Sequence, residues 1–210
     1  MQAGKFITFE GIDGSGKTTQ IEYLADYLES IGLRTTLLRE PGGTKIGEEI
    51  RRILLDMRNQ GMTVETELFL FESARAQLVR EVIRPSLERG IWVISDRFHD
   101  SSVAYQGYGR GLPIDMVQAL NNWAIGETRP DLTILLELGL EARSMRLGKR
   151  QDSGHKDRFD VESDAFKQRV CSGFHAIAKE EPARVIRVES QEQMEETAKL
   201  IREQVRRNLL

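Results

Sequence analysis

Only one cysteine and five prolines occur in this chain of 210 residues, and no apolar run comes close to membrane-spanning length. The lone thiol, Cys171, excludes an internal disulfide and suits a reducing compartment. Spanning a bilayer takes roughly 20 consecutive apolar residues, so a membrane helix is excluded and no membrane partner is expected. Neither sign of charge dominates either. Lys plus Arg total 30 against 33 Asp plus Glu, a net charge of −3, which argues against a protein built to coat nucleic acid or an anionic surface. The opening Met1-Gln2-Ala3-Gly4-Lys5-Phe6 lacks the charged-then-apolar pattern of a secretory signal, and the expected location is the cytoplasm. With 40% hydrophobic and 30% charged residues, the composition is that of a globular protein, and the length suits one domain over 1–210.

Five short apolar runs punctuate the chain: Phe6–Phe9, Thr35–Leu38, Ile91–Ile94, Leu132–Leu136 and Val185–Val188. They lack clean polar alternation, as do strands covered on both faces. Stretches of helical periodicity separate them. Thr18–Ser30 puts Ile21, Leu24, Ala25 and Leu28 on one face, with Gly32 as a C-cap. Ile46–Leu55 is expected to turn Ile46, Ile50, Ile53 and Leu54 inward, and Glu65–Leu87 reads as a long helix kinked or ended near Pro85. Met116–Ile125, Val161–Lys179 and Gln191–Val205 complete the set. Strand–helix alternation over one domain implies βαβ units, a mostly parallel sheet and the α/β class.

The strongest motif is Gly11-Ile12-Asp13-Gly14-Ser15-Gly16-Lys17-Thr18, a Gly, four residues, then Gly-Lys-Thr, with a strand entering and a helix leaving. Glycines let consecutive N–H groups curl around one phosphate, and the helix N-terminus adds partial positive charge. Lys17 is expected to face the surface and reach β and γ phosphates, and Thr18 offers a hydroxyl to Mg²⁺. The loop alone leaves open whether the γ-phosphate goes to water, to protein or to a small acceptor. Asp96, at the end of an apolar strand, supplies a second oxygen donor for the metal, and Arg97 beside it can hold phosphate in bidentate fashion.

Phe9-Glu10-Gly11 through Thr18-Thr19, then Arg39-Glu40-Pro41-Gly42-Gly43-Thr44, then Asp96-Arg97-Phe98 with Ser101-Ser102-Val103-Ala104-Tyr105-Gln106-Gly107, resemble in order the motif set of bacterial thymidylate kinases. The resemblance implies a three-layer phosphate-loop kinase fold with a five-stranded parallel sheet flanked by helices. It implies transfer of a phosphoryl group from ATP to dTMP with Mg²⁺, supplying dTTP for DNA synthesis, by a homodimer that associates through long helices including Glu65–Leu87. It assigns Phe71 to stacking on thymine and Arg75 to a thymine carbonyl, four residues apart on one helical face. Ser102, Tyr105 and Gln106 form the wall around base and sugar, where Tyr105 disfavours a ribose hydroxyl. Arg51 and Arg97 are the candidates for the dTMP phosphate, Asp13 lies near the acceptor 3′-hydroxyl, and Glu40 belongs to the site loop.

The phosphate loop itself carries Lys17 and no Arg, as in family members that draw a further cation from a lid. The segment Arg143–Arg158, with few apolar anchors, is therefore expected to be a solvent-facing basic lid, about 143–158, that closes over ATP; Arg150 and Arg146 lead as the catalytic arginines. Its alternative is a solvated charge run. Three rival functions also stand: a kinase of the same fold for another small acceptor; a hydrolytic switch or motor, which the missing Asn-Lys-x-Asp motif disfavours; and an ATP-binding domain without catalysis, which Asp96-Arg97 and the lid disfavour. His99, His155 and His175 lack metal-site spacing, and Cys171 reads as a small, partly buried helical residue.

Overall fold

The computed structural model describes residues 3–138 and 157–210. Each apolar run becomes a strand: β1 (Phe6–Glu10), β2 (Thr35–Arg39), β3 (Trp92–Asp96), β4 (Leu132–Leu138) and β5 (Val185–Ser190). They form one parallel five-stranded sheet in the order β2-β3-β1-β4-β5. The expected coverage of both faces holds for β1, which is buried throughout; β2, at the edge, is half-exposed.

Helices α1 (Lys17–Ser30) and α8 (Met194–Leu209) pack on one face, where Ile21, Leu24, Leu28, Ile201 and Val205 meet Ile7, Phe9, Ile94 and Ile134. Alternate strand residues point the other way. There Phe6 and Val93 meet Leu78, Ile83, Phe98 and Ile125, and Leu135 meets Phe166, Val170 and Phe174. The opposing helices are α2 (Lys45–Leu55), α3 (Val64–Leu78), α4 (Arg84–Glu88), α5 (His99–Ser102), α6 (Ile114–Ile125) and α7 (Asp164–Glu180).

Several sequence expectations are corrected. The long helix expected over Glu65–Leu87 is present, from Val64 to Glu88, but its irregular turn precedes Pro85: α3 runs through a π-helical turn, Val79–Ile83, into α4, with the proline in the first turn of that segment, where an N–H is least needed. The α7 helix starts at Asp164 instead of Val161, because Ser163 caps it by accepting the Phe166 amide at 3.2 Å. In α2, Leu54 is buried, whereas Ile46 and Ile53 are exposed, at 53% and 46%. That helix lies along α3 rather than on the sheet, so it has only one narrow inner face. An unforeseen helical stretch runs from α5 through a π-helical turn at Val103–Gly109, whose glycines disguise it in the sequence. Gly109 lets it pack closely on α7: a Cβ there would lie 2.7 Å from the Phe166 ring.

Because β1 sits between β3 and β4, the chain crosses the sheet in both directions from its centre, and a crevice opens at the carboxyl ends of β1 and β3. Register fixes its floor. Asp96 pairs with Phe9 on one side and Arg39 on the other.

Candidate active site

The loop after β1 turns sharply at Gly11, with φ of +135°, and a Cβ there would lie 2.3 Å from the Leu136 carbonyl oxygen. Gly16, with φ of +96°, then caps α1 in a conformation that side chains disfavour. Lys17, the first residue of α1, is 6% exposed, not surface-facing as expected. Its Nζ lies back along the loop, donating to the carbonyls of Gly11 and Ile12 at 3.2 Å each. Burial, with Arg97 nearby, lowers its pKa to about 8. At the next position the Thr18 hydroxyl donates to Asp96 Oδ2 at 3.4 Å, so two hard oxygen donors stand side by side at the cleft floor.

Arg97 does not pair with its neighbour Asp96; its Nη2 donates to Asp13 Oδ1 at 2.8 Å, tying β3 to the phosphate loop. Burial disfavours this guanidinium, but the surrounding acidic groups outweigh it and hold the charge firmly. Its carbon lies 5.0 Å from the Tyr105 ring centre. Burial in turn pushes the Tyr105 phenol well above its ordinary range.

A cleft of about 660 Å³ runs from this loop to the helices on the far side. Every candidate named from the sequence that lies among the described residues lines it, except Gly11 and Ile12, which line a recess on the other side of the loop. Arg146 and Arg150 lie outside the described residues. At the distal end Phe71 and Tyr105 each meet Phe159 edge-on, with ring centres 5.9 Å apart in both pairs. Arg51 reaches in from α2 and donates to the Pro41 carbonyl at 2.9 Å.

Arg75 is 1% exposed and more constrained than an edge-reading guanidinium alone would need to be. Its head group donates to Glu40, Glu72, Ser102 and Asn121 at 2.7–2.9 Å and to the Phe98 carbonyl at 3.2 Å. Gln106 donates Nε2 to Glu67 Oε1 at 3.0 Å, and Glu67 also accepts from Arg110 and Arg158.

Arg158 corrects the expectation of a wholly solvent-facing basic segment. It is 6% exposed, with Nη2 on Glu67 Oε2 at 2.8 Å and Nη1 on the Leu54 carbonyl at 2.9 Å. Phe159, next to it, carries no motif in the sequence; its signal there is one ring immediately after a basic run. Asp157 also lines the cleft.

The sequence places this geometry in a family. A thymidylate kinase family model matches residues 9–201. The chain belongs to the thymidylate kinase family. It is 50% identical to the thymidylate kinase of Desulfovibrio desulfuricans over 183 residues, covering 85% of this chain and 84% of that protein. The thymidylate kinase of Ruthia magnifica is 43% identical over 202 residues, 96% of this chain and 97% of its own. The crystal structure of the thymidylate kinase from Ehrlichia chaffeensis superposes with a TM-score of 0.78 at 34% identity, covering 97% of this chain and 99% of that one. In this thymidylate kinase family member the phosphate loop follows β1, and Asp96 and Arg97 stand at the end of the adjacent strand β3. No described helix is long and apolar enough to cross a membrane.

Proposed function

We infer that the protein transfers the γ-phosphoryl group of ATP to dTMP, giving dTDP and ADP and supplying dTTP for DNA synthesis. The observation that carries this reading is the single cleft that joins the phosphate loop to the Phe71, Arg75, Tyr105 and Gln106 end, in a chain of this family. The donor binds over Gly11–Thr19, where N–H groups and the α1 N-terminus meet its phosphates. The acceptor lies with its base on Phe71, its edge toward Arg75, Ser102 and Gln106, and its sugar against Tyr105. Its phosphate is held by Arg51 and Arg97, and Asp13 faces the sugar hydroxyl.

An oxygen of the dTMP phosphate, already anionic, attacks the γ-phosphorus while the bond to the β–γ bridging oxygen breaks. No strong base is required, since positioning and charge neutralisation supply most of the catalysis. Lys17 and Arg97 flank the transferring group, and a lid arginine, Arg146 or Arg150, completes the set. The adjacent Thr18 and Asp96 oxygens fit a small hard cation, and they are the residues that would hold Mg²⁺. The ion, when bound, neutralises charge on the nucleotide phosphates. Glu40 contributes by holding Arg75.

The protein works as a cytoplasmic homodimer on this reading. Support comes from exposed Phe69, Met116 and Trp123 on the neighbouring helices α3 and α6, Trp123 being 84% exposed. Light scattering checks the oligomeric state: a monomer mass at assay concentration removes the dimer. The function is tested by ADP release with Mg²⁺ across nucleoside monophosphates. Preference for dTMP is expected; equal or faster turnover of a purine monophosphate would overturn the assignment.

A further inference from the structure

Glu10 ends the central strand and is 1% exposed, outside the cleft lining, yet its carboxylate grips the segment that carries Arg97. Its Oε1 accepts the Phe98 amide at 2.8 Å and its Oε2 accepts the Ser101 hydroxyl at 2.6 Å. A hydroxyl has a single proton. With that proton given to Glu10, the Ser101 lone pairs are left to face Arg97, whose Nη1 donates to the same oxygen at 3.2 Å. Direct attraction adds to the chain, because Arg97 Nη1 is 4.0 Å from Glu10 Oε2.

The backbone needs this grip as well. Arg97 has φ of +70°, the one described non-glycine residue in the left-handed region, and such a conformation persists only where its surroundings over-determine it. Both of its peptide groups are fixed. The Arg97 N–H donates to the Phe9 carbonyl at 2.9 Å, the Arg97 carbonyl accepts from the Ser95 hydroxyl at 2.8 Å, and the following N–H goes to Glu10.

We propose that Glu10 is the positioning residue for Arg97: through the Phe98 amide it holds the left-handed turn, and through Ser101 it aims the guanidinium into the cleft. The proposal rests on the reading of Arg97 as a cation that touches phosphate. Asp13 holds the other side of the same guanidinium, so Arg97 is strung between the buried end of β1 and the phosphate loop that follows it.

The test is a double-mutant cycle. Glu10→Gln keeps the shape and one acceptor for the Phe98 amide, but the second position becomes an N–H that cannot accept from Ser101. It is expected to lower kcat roughly 10- to 100-fold, with the KM for ATP changed less than about threefold, because the loss falls on the transition state. In an Arg97→Ala background, itself strongly reduced in kcat, Glu10→Gln is expected to change kcat less than about twofold, since the group it acts through is gone. A nitrogen NMR signal from the Arg97 Nε–H, assigned by its loss in Arg97→Ala, is expected to shift or broaden in Glu10→Gln without any nucleotide present. Ser101→Ala carries the same cycle should Glu10→Gln fail to fold. If either variant lowers kcat by the same factor in both backgrounds, Glu10 does not act through Arg97 and the proposal falls alone. If Arg97→Ala keeps parental kcat, the reading of Arg97 falls and takes the proposal with it.

Discussion

Arg158 donates from Nη2 to Glu67 Oε2 at 2.8 Å, and both side chains are buried. A basic residue at the end of an apparent charge run is thereby committed to the protein, next to Phe159, whose ring meets Phe71 and Tyr105. Its removal leaves Glu67 with Arg110 as its one remaining cationic partner among the described residues.

Arg158→Ala is expected to lower thermal stability and raise the KM for dTMP, because truncating one member of a buried pair is strongly destabilising and loosens the aromatic wall. At least one of Arg146→Ala and Arg150→Ala is expected to lose kcat roughly 10²-fold with little change in ATP affinity, as for a transition-state cation. Steady-state kinetics with paired melting curves checks both. Parental kcat in Arg146→Ala, Arg150→Ala and Arg143→Ala would leave the segment no part in phosphoryl transfer.

Lys17→Ala is expected to reduce kcat by roughly 10²- to 10³-fold. The fold should survive, since among the described residues Nζ makes two long hydrogen bonds, to loop carbonyls at 3.2 Å. Circular dichroism and turnover, measured together, decide it; activity within tenfold of the parent removes Lys17 from the mechanism.

Arg75→Ala should do more than weaken acceptor binding. Glu40 and Glu72 would be left buried without their guanidinium, which costs on the order of 3–5 kcal/mol. Urea denaturation is expected to show that loss, and kinetics at low temperature to show a rise in dTMP KM that exceeds any change in ATP KM. Equal changes for both substrates would mean that the acceptor end of the cleft has been misplaced.

Tyr105 stands between the Arg97 guanidinium and the Phe159 ring, at the expected sugar position. The parent is expected to prefer dUMP over UMP, and Tyr105→Ala to narrow that preference by about tenfold, the scale of a lost close contact. Equal turnover of the two nucleotides by the parent enzyme would refute exclusion by Tyr105.

His99 gives a pH signature unrelated to catalysis. Burial, helped by Arg184, Arg75 and Arg129 and opposed by Asp100, lowers its pKa from 6.5 to about 4. The unfolded chain therefore takes up a proton near pH 6.5 that the folded protein refuses until about pH 4. This one group lowers stability as pH drops through that window, by up to about 3 kcal/mol, while the buried carboxyls of Glu10 and Glu40, pushed up to about 7 by burial, contribute with the opposite sign. Relative to the parent, His99→Gln should gain stability as pH falls between these values in urea titrations; an unchanged difference between variant and parent would remove His99 from the acid response.

Periodicity and motif spacing determined much of this protein by themselves. All five strands, α1 and the phosphate loop are local features, set by which side chains can turn inward and where glycine alone fits, and they lie where the residues put them. The family motifs likewise marked the residues that line one cleft. What tertiary structure decided are the pairings between distant segments. Glu10 with Phe98 and Ser101, Glu40 with Arg75, and Glu67 with Arg158 join residues 35 to 91 positions apart. A charged residue in a sequence reads as solvated by default. Whether it is instead buried depends on an opposite charge brought to it by the sheet order and by the helices packed on its face, and no local pattern of residues records that meeting.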